Sequence, residues 1–489
     1  MTILETDVAI VAAGPAGLCA AVAAAEGGAE VMVFEKMSTF GGTANMGMGP
    51  FGVESRIQKR QMINLKKEDC FRRFMDYVHW QADARLVHDY FWKSGSTIDW
   101  LEDMGVQFVG AMKNFPESEP TWHVVMPEGG GKPGARCASA MNKTIYERAR
   151  ELGVQFFFET PVRELIVDKG EVIGLRAESA EEAYTVYAGA VIVATGGFGT
   201  NPEMIHAQTG YTLDEDIHTF MVPGIVGQGI QMAWAAGAGH GRMEMERIIY
   251  KLLPGSMMGE RTEVQAFHQG GILAVNQSGY RVCNEGVMQN ASVAANIIDY
   301  QQGKALYCIL DDNAVDYYCA HGQDFPSEVF PSDPFTAFRE KWPVYSEEFP
   351  DVAFAADSVE ALAEKMGVPP DNLAETVERY NRFCDQNYDD DFGKERGFLH
   401  ALRGPRFYAT KIGIGAYGSL GGIKTDHKLR AITDDYQVVP GLFGAGTDVC
   451  SLYNGTYYFY FPGSTMGFAV NSGRMAGEYA ARYALGEDI

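Results

Sequence analysis

The chain opens with an unbroken apolar run, Asp7-Val-Ala-Ile-Val11, which predicts a strand buried on both faces. The turn Ala12-Ala-Gly14-Pro-Ala-Gly17 follows, and Leu18-Cys-Ala-Ala-Val-Ala-Ala-Ala25 then predicts a helix of small residues that packs closely. A second apolar strand, Glu30-Val-Met-Val-Phe34, ends at Glu35, 18 positions beyond Gly17. The order strand, turn, helix, strand, acid is that of a dinucleotide-binding fingerprint. Gly14 lets backbone approach a pyrophosphate, Gly17 allows helix–strand contact, and Ala16 lies in the helix turn that faces the negative charge. Glu35 can accept from ribose hydroxyls, with Lys36 beside it. Ala12 stands where the first fingerprint glycine belongs, and a βαβ unit without a ligand is the alternative.

A second glycine-rich loop, Phe40-Gly-Gly-Thr-Ala-Asn-Met-Gly-Met-Gly49, comes soon after Glu35. A nicotinamide enzyme would run into another strand and helix here. The loop fits a larger cofactor, FAD, whose ring system passes close to backbone, with Gly41, Gly42, Thr43 and Gly47 as candidate contacts. Residues 160–175 alternate as two strands that turn at Lys169-Gly170, with Val162 as a further candidate. The buried strand Val191-Ile-Val runs into Ala194-Thr195-Gly196-Gly197, and Gly229 follows in Gly227-Gln-Gly229. Near the C-terminus Gly441-Leu-Phe-Gly-Ala-Gly446 repeats the strand-to-glycine design, followed by Thr447 and Asp448. A helix is predicted from Gly463, carrying Ser464, Thr465 and Met466 in its first turn. Candidate cofactor contacts at both ends imply a domain that the chain leaves and re-enters.

Composition narrows the function classes. With 489 residues, 46% of them hydrophobic, the chain can bury a large core. Forty basic against 64 acidic side chains leave a net charge of −24, which disfavours nucleic acid or an anionic bilayer as partner. Eight cysteines are scattered without a CxxC pair, so no metal or iron–sulfur site is expected, and single thiols suit a reducing cytoplasm. The start carries no basic, apolar leader and no run reaches a membrane span, so a cytoplasmic location is expected.

The Gly14/Gly17/Glu35 unit, Gly41-Gly42-Thr43, Ala194-Thr-Gly-Gly197, Gly227-Gln-Gly229, Leu420-Gly-Gly422, Gly444-Ala-Gly446 and Ser472-Gly-Arg-Met-Ala-Gly477 occur in order over nearly the whole chain. Together they resemble the fumarate reductase/succinate dehydrogenase flavoprotein superfamily, which includes the 3-ketosteroid dehydrogenases. The resemblance implies an α/β fold: a Rossmann-type FAD-binding domain at residues 1–245 and 415–489, interrupted by a smaller α+β capping domain at 246–414. Some members attach FAD through a histidine in the glycine-rich loop. Residues 38–50 hold none, so non-covalent FAD is expected.

Departures from the superfamily bear on the substrate. Fumarate reductases hold a dicarboxylate with arginines and histidines, and an arginine supplies the proton. The segments that resemble theirs read Leu310-Asp-Asp-Asn-Ala-Val-Asp316, Tyr417-Gly-Ser-Leu-Gly-Gly422 and Tyr457-Tyr-Phe-Tyr-Phe-Pro-Gly463, with no arginine or histidine. A dianion needs charge-assisted partners to offset its desolvation. The aromatic run resembles instead the tyrosine-plus-glycine segment of 3-ketosteroid dehydrogenases, although Phe459 falls where their tyrosine stands. Tyr458 and Tyr460 are therefore candidate catalytic groups, as are Tyr417, His268 in the cap, and Arg281 in Gly279-Tyr-Arg-Val-Cys-Asn-Glu285. Packing is the competing role for each of them, and for His123. The seven basic residues from Arg56 to Arg73 predict a solvated helix face.

The leading expectation is an FAD-dependent reductase that transfers hydride to a conjugated or quinone-methide-type ring substrate, small, apolar and oxygenated. Reductive removal of a benzylic hydroxyl is included. A 3-ketosteroid dehydrogenase, a fumarate-type enoate reductase and a non-catalytic electron-transfer subunit are the alternatives. No haem motif, cysteine cluster or second complete fingerprint is present, so electrons would come from an external donor, NAD(P)H or an electron-transfer protein.

Overall fold

The computed structural model describes residues 2–326, 329 and 332–489. Strand β1 (Thr2–Val11) lies at the centre of the larger sheet, flanked in parallel by β2 (Val31–Phe34) and by the strand Ala183–Val193. Val8, Ala9 and Ile10 are fully buried, as their unbroken apolar run requires. The strand Val438–Gly444 continues the sheet beyond Ala183–Val193, and Gln155–Phe157 continues it beyond β2. Segments far apart in sequence thus share one sheet, as expected for an interrupted FAD-binding domain. The predicted hairpin pairs Val162–Asp168 with Glu171–Glu178 across Lys169-Gly170, both at positive φ (50° and 87°). Its turn therefore matches the right-handed twist of the flanking strands.

Helix α1 (Pro15–Glu26) packs along the C-terminal helix Ser464–Ala484. A methyl group at Gly473 or Gly477 would collide with the backbone of Ala16 or Ala20, so the two helices touch along small residues.

A second, six-stranded sheet is built mainly from residues in the middle of the chain. Its longest strand, Phe407–Leu420, pairs antiparallel with Glu244–Lys251 on one side and Leu306–Asp311 on the other. The expected boundaries, 245/246 and 414/415, each fall inside one of the paired strands Glu244–Lys251 and Phe407–Leu420. Their register shifts at this place: Met245 faces Ser419 and Arg247 faces Ala416, so Tyr417 and Gly418 oppose the single residue Glu246. Such a bulge bends the strand and re-aims the side chains beside it. Among the described residues no helix is long and apolar enough to cross a membrane.

His123, on the strand Trp122–Val125, is fully buried. Its Nε2 lies 2.7 Å from Ser55 Oγ and its Nδ1 3.0 Å from the carbonyl of Thr121. The carbonyl takes an N–H from Nδ1, leaving Nε2 to accept from the serine. This neutral form packs two loops together, and burial lowers the pKa to about 4. The unfolded chain binds a proton near pH 6.5 and the folded one does not, so stability falls as pH drops from 6.5 toward 4. The expected loss is about 3 kcal/mol, and the slope over this window should shrink in His123→Gln when denaturant midpoints are measured across it.

Candidate active site

The strand–helix turn that starts α1 is shaped by a strained residue. Ala12 has φ 84°, a conformation that glycine adopts freely, which explains the glycine usual at this place in the fingerprint. A methyl group on Gly17 would collide with the carbonyl of Ala12, so only glycine lets the helix sit this close to the strand. Gly14 caps α1 and Pro15 opens it, leaving the N–H groups of Ala16 and Gly17 free of intrahelical acceptors. A Cβ built on Gly14 meets no protein atom within 4 Å. The opening of the helix therefore faces free space, which fits a diphosphate.

The remaining candidate contacts gather around this opening. Gly41 donates its N–H to Ala13 O at 2.8 Å, which holds the turn Gly42–Met46, with half-buried Thr43, beside the fingerprint. A Cβ on Gly42 would approach Gly14 Cα at 3.7 Å, and one on Gly47 would run into Met466 of the C-terminal helix. Gly446 donates to Ser472 Oγ at 2.9 Å and lies against Ala16. Gly229, at the start of the helix Gln228–Ala235, packs on Thr195. Val162 is buried where its strand begins, and Ala194 is buried at the end of Ala183–Val193.

Several of the expected contacts have protein partners of their own. Glu35 accepts from the backbone N–H groups of Ala13 (2.7 Å) and Met37 (2.8 Å), which orders the end of β2 against the fingerprint turn. Lys36 donates to Gly224 O and lies 3.3 Å from Gln228 Oε1. Asp448, fully buried, accepts from the N–H and hydroxyl of Thr195 and from the N–H of Gly197 (2.7 Å). Its side chain ties the glycine turn after Ala183–Val193 to the one after Val438–Gly444. Thr447 supplies its carbonyl to Gly421 N at 2.7 Å. Ser464 turns its hydroxyl back to Phe461 O at 2.8 Å.

The aromatic run divides between two environments. Tyr458 and Tyr460 line a cleft of about 430 Å³ with Arg73, Asp76 and Tyr77. Arg73, with its side chain 40% exposed, pairs with Glu119 at 2.5 Å, and its charge opposes the upward shift that burial imposes on Tyr458. Phe459 stacks instead on Phe115, with centroids 6.3 Å apart. Tyr457 turns toward the first turn of the C-terminal helix, its hydroxyl 3.4 Å from Thr465 N.

That turn holds a group the sequence reading passed over. Glu246 is 4% exposed and accepts from Thr465 Oγ1 at 2.5 Å. Burial pushes its carboxyl up to about 8, and only the threonine hydroxyl opposes the shift. Tyr417, opposite Glu246 in the bulge, is 41% exposed, and it stacks on Phe220 at 5.6 Å with planes 11° apart. Desolvation nevertheless raises its hydroxyl, with Glu246 adding to the shift. The Tyr417 ring is thus partly accessible while its hydroxyl is desolvated. Glu246 shares its strand with the charged residues Glu244, Arg247 and Lys251, so nothing in the sequence singles it out, and its direction depends on the bulge.

Two expected catalytic groups lie elsewhere. Arg281 is locked between Glu285 (2.8 Å) and Asp389 (2.9 Å) with its side chain 4% exposed, so it is an ionic tie within the cap. It lies with Tyr380 and Phe392 about its guanidinium, at 5.0 and 5.2 Å. A group so enclosed and paired cannot reach a substrate. His268 borders a void of about 10 Å³ with Ile249, Gln269 and Cys308, and burial together with Lys251 lowers its pKa.

Gly14→Val tests the cradle. The backbone at Gly14 (φ −72°, ψ 177°) suits valine, and the new side chain enters free space. The purified variant should therefore keep the thermal stability of the apoprotein while losing the yellow flavin spectrum.

Residues 7–459 match the family described as FAD binding domain. A vinyl phenol reductase of Lactiplantibacillus plantarum is 31% identical, over 99% of this chain and 98% of its own length. A fumarate reductase (cytochrome) of Shewanella frigidimarina is 29% identical, over 98% of this chain and 77% of its own. Among solved structures, a 3-ketosteroid-Δ4-(5α)-dehydrogenase of Rhodococcus jostii superposes with a TM-score of 0.77 at 23% identity, over 98% of this chain and 97% of that one, a likeness of fold. With the nucleotide cradle, these matches identify the chain as an FAD-dependent oxidoreductase that belongs to the fumarate reductase/succinate dehydrogenase flavoprotein superfamily.

Proposed function

We propose that this chain reduces a conjugated, oxygenated ring substrate, of the kind in which a phenol or ketone is conjugated to the carbon that takes the hydride. The observation that carries this reading is the neutral polar set at the first turn of the C-terminal helix. Glu246, Thr465, Tyr457 and Tyr417 offer hydroxyls and a carboxyl that holds its proton. No cation lowers the Glu246 pKa. A dicarboxylate brought here would meet no compensating charge, whereas the open face of Tyr417 beside Phe220 suits a flat ring. The likeness to a vinyl phenol reductase supports the same substrate class.

Reduced FAD supplies hydride when bound. Glu246, Thr465, Tyr457 and Tyr417 then orient the ring and move protons. For a vinyl phenol, loss of the phenolic proton and protonation of the terminal carbon give a quinone methide. Hydride at the benzylic carbon restores the aromatic ring, and the phenolate regains its proton. A phenol with a benzylic hydroxyl, such as tetrahydrodaidzein, would reach the same kind of intermediate by losing water and yield equol. In this reading Tyr417 and Tyr457 stabilise the oxygen charge, while Tyr458 and Tyr460 border the cleft beside Arg73. The electrons come from an external donor, NAD(P)H or an electron-transfer protein.

The decisive measurement is anaerobic reoxidation of the dithionite-reduced holoprotein, followed at the flavin band, with 4-vinylphenol, tetrahydrodaidzein, a Δ4-3-ketosteroid and fumarate in parallel. Rapid reoxidation is expected with one of the two phenols and not with fumarate; fumarate acting alone would overturn the reading. Tyr417→Phe should slow the reaction at saturating acceptor by about ten- to a hundredfold. Tyr458→Phe and Tyr460→Phe should change mainly KM, and loss of kcat in either would return the catalytic phenol to the cleft.

A further inference from the structure

The site as described so far accounts for the hydride acceptor and for the phenols near its oxygen, and leaves open the source of the proton that must reach carbon. Fumarate reductases use an arginine for this, and the matching segment here has none. Glu246 is a buried carboxyl that meets the first turn of the C-terminal helix, and its position is built by the fold. The strand bulge sets it opposite Tyr417 and Gly418, and its Oε1 lies 2.5 Å from the hydroxyl of Thr465. Thr465 is half-buried, whereas Glu246 behind it is 4% exposed.

We propose that Glu246 supplies the proton that the substrate carbon receives, acting through the hydroxyl of Thr465. The inference rests on the reading of the site as one that reduces a conjugated acceptor. In the step, the electron pair of the acceptor's nucleophilic carbon takes the Thr465 hydroxyl proton while the threonine oxygen takes the carboxyl proton of Glu246. One C–H and one O–H bond form and two O–H bonds break. Glu246 is left as a carboxylate and regains its proton from solvent, and the hydride comes from the flavin reduced by the external donor. For the relay the bond reverses: the protonated carboxyl donates to the Thr465 oxygen, and the threonine hydroxyl turns its own proton to the substrate, since a hydroxyl can donate and accept at once.

The surroundings keep the acid neutral. Tyr417 faces it from the strand Phe407–Leu420, Tyr453, Tyr457 and Cys450 from the segment before the helix, and Thr465 from the helix itself. On its own strand, Glu244 accepts from Gly455 N, and Arg247 turns away to Asp299 and Tyr211. None of these places a positive charge beside Glu246. Its carboxyl, held at about 8, is protonated at neutral pH and is lost as a donor when the pH rises past that value.

The test uses the holoprotein and four variants. With an alkene acceptor such as 4-vinylphenol, whose terminal carbon takes the proton, turnover should be level below pH 8 and fall about tenfold per unit above it. Glu246→Gln keeps a partner for Thr465 but has no proton to give, so turnover should drop about a hundredfold and the alkaline limb should vanish. Glu246→Asp should restore part of the rate and the limb. Thr465→Ser should retain activity and Thr465→Val should lose it. Independently of turnover, the infrared difference between wild type and Glu246→Gln should contain a protonated-carboxyl C=O band at pH 7 that fades above pH 8. Wild-type turnover and an intact limb in Glu246→Gln, or no such band at pH 7, would overturn the proposal. A wild type silent to every acceptor would defeat the functional reading instead, and the infrared band would still decide whether Glu246 holds a proton.

Discussion

The contact between α1 and the C-terminal helix is the constraint from which the rest of the site follows. Gly473 and Gly477 press on the backbone of Ala16 and Ala20, an approach that any side chain at those glycines would prevent. Through that contact the first and last helices of the chain become a single unit. The fingerprint turn is carried by one helix, and the hydroxyl of Thr465 by the first turn of the other. The distance between the nucleotide cradle and the reacting end is therefore set by two rigid helices, and the loops need only fill the space between them. Functional groups held by regular elements keep their geometry better than groups on free loops.

Most of the nucleotide-binding half was legible because its signals are local. The apolar run of β1, the glycines that follow it and the acid after β2 each constrain their own backbone, and the structure places them as the pattern predicts. Ala12 shows how far such a signal can degrade without being lost: the chain retains the left-handed turn and accepts the strain of an alanine there. Glu35, Lys36 and Asp448 are expected from the sequence as cofactor contacts, but their bonds to the protein depend on partners elsewhere in the chain. Glu35 and Asp448 are parts of the scaffold whatever else they touch.

The reacting end was far less legible. Five aromatic residues in succession read as one wall, yet Tyr457, Tyr458, Phe459 and Tyr460 turn to different surroundings because the segment is irregular. Arg281 matches a motif but is consumed by Glu285 and Asp389. Glu246 has no motif at all. Its direction follows from a register shift between strands about 170 positions apart, and neither strand alone announces a bulge. Long-range pairing of this kind is a property of the fold, so a reading limited to neighbouring residues passes over it.

Asp448 has a thermodynamic consequence that reaches beyond its bonds. By joining Thr195 and Gly197 to the turn after Val438–Gly444, a buried carboxylate holds two glycine-rich segments in place from within the protein. Each bond that Asp448 makes lowers the chain entropy that flavin binding would otherwise have to remove from these two segments, and so leaves more of the binding free energy as affinity. A carboxylate spent on the scaffold in this way contributes to cofactor binding through the order it imposes on the chain, whatever else it touches.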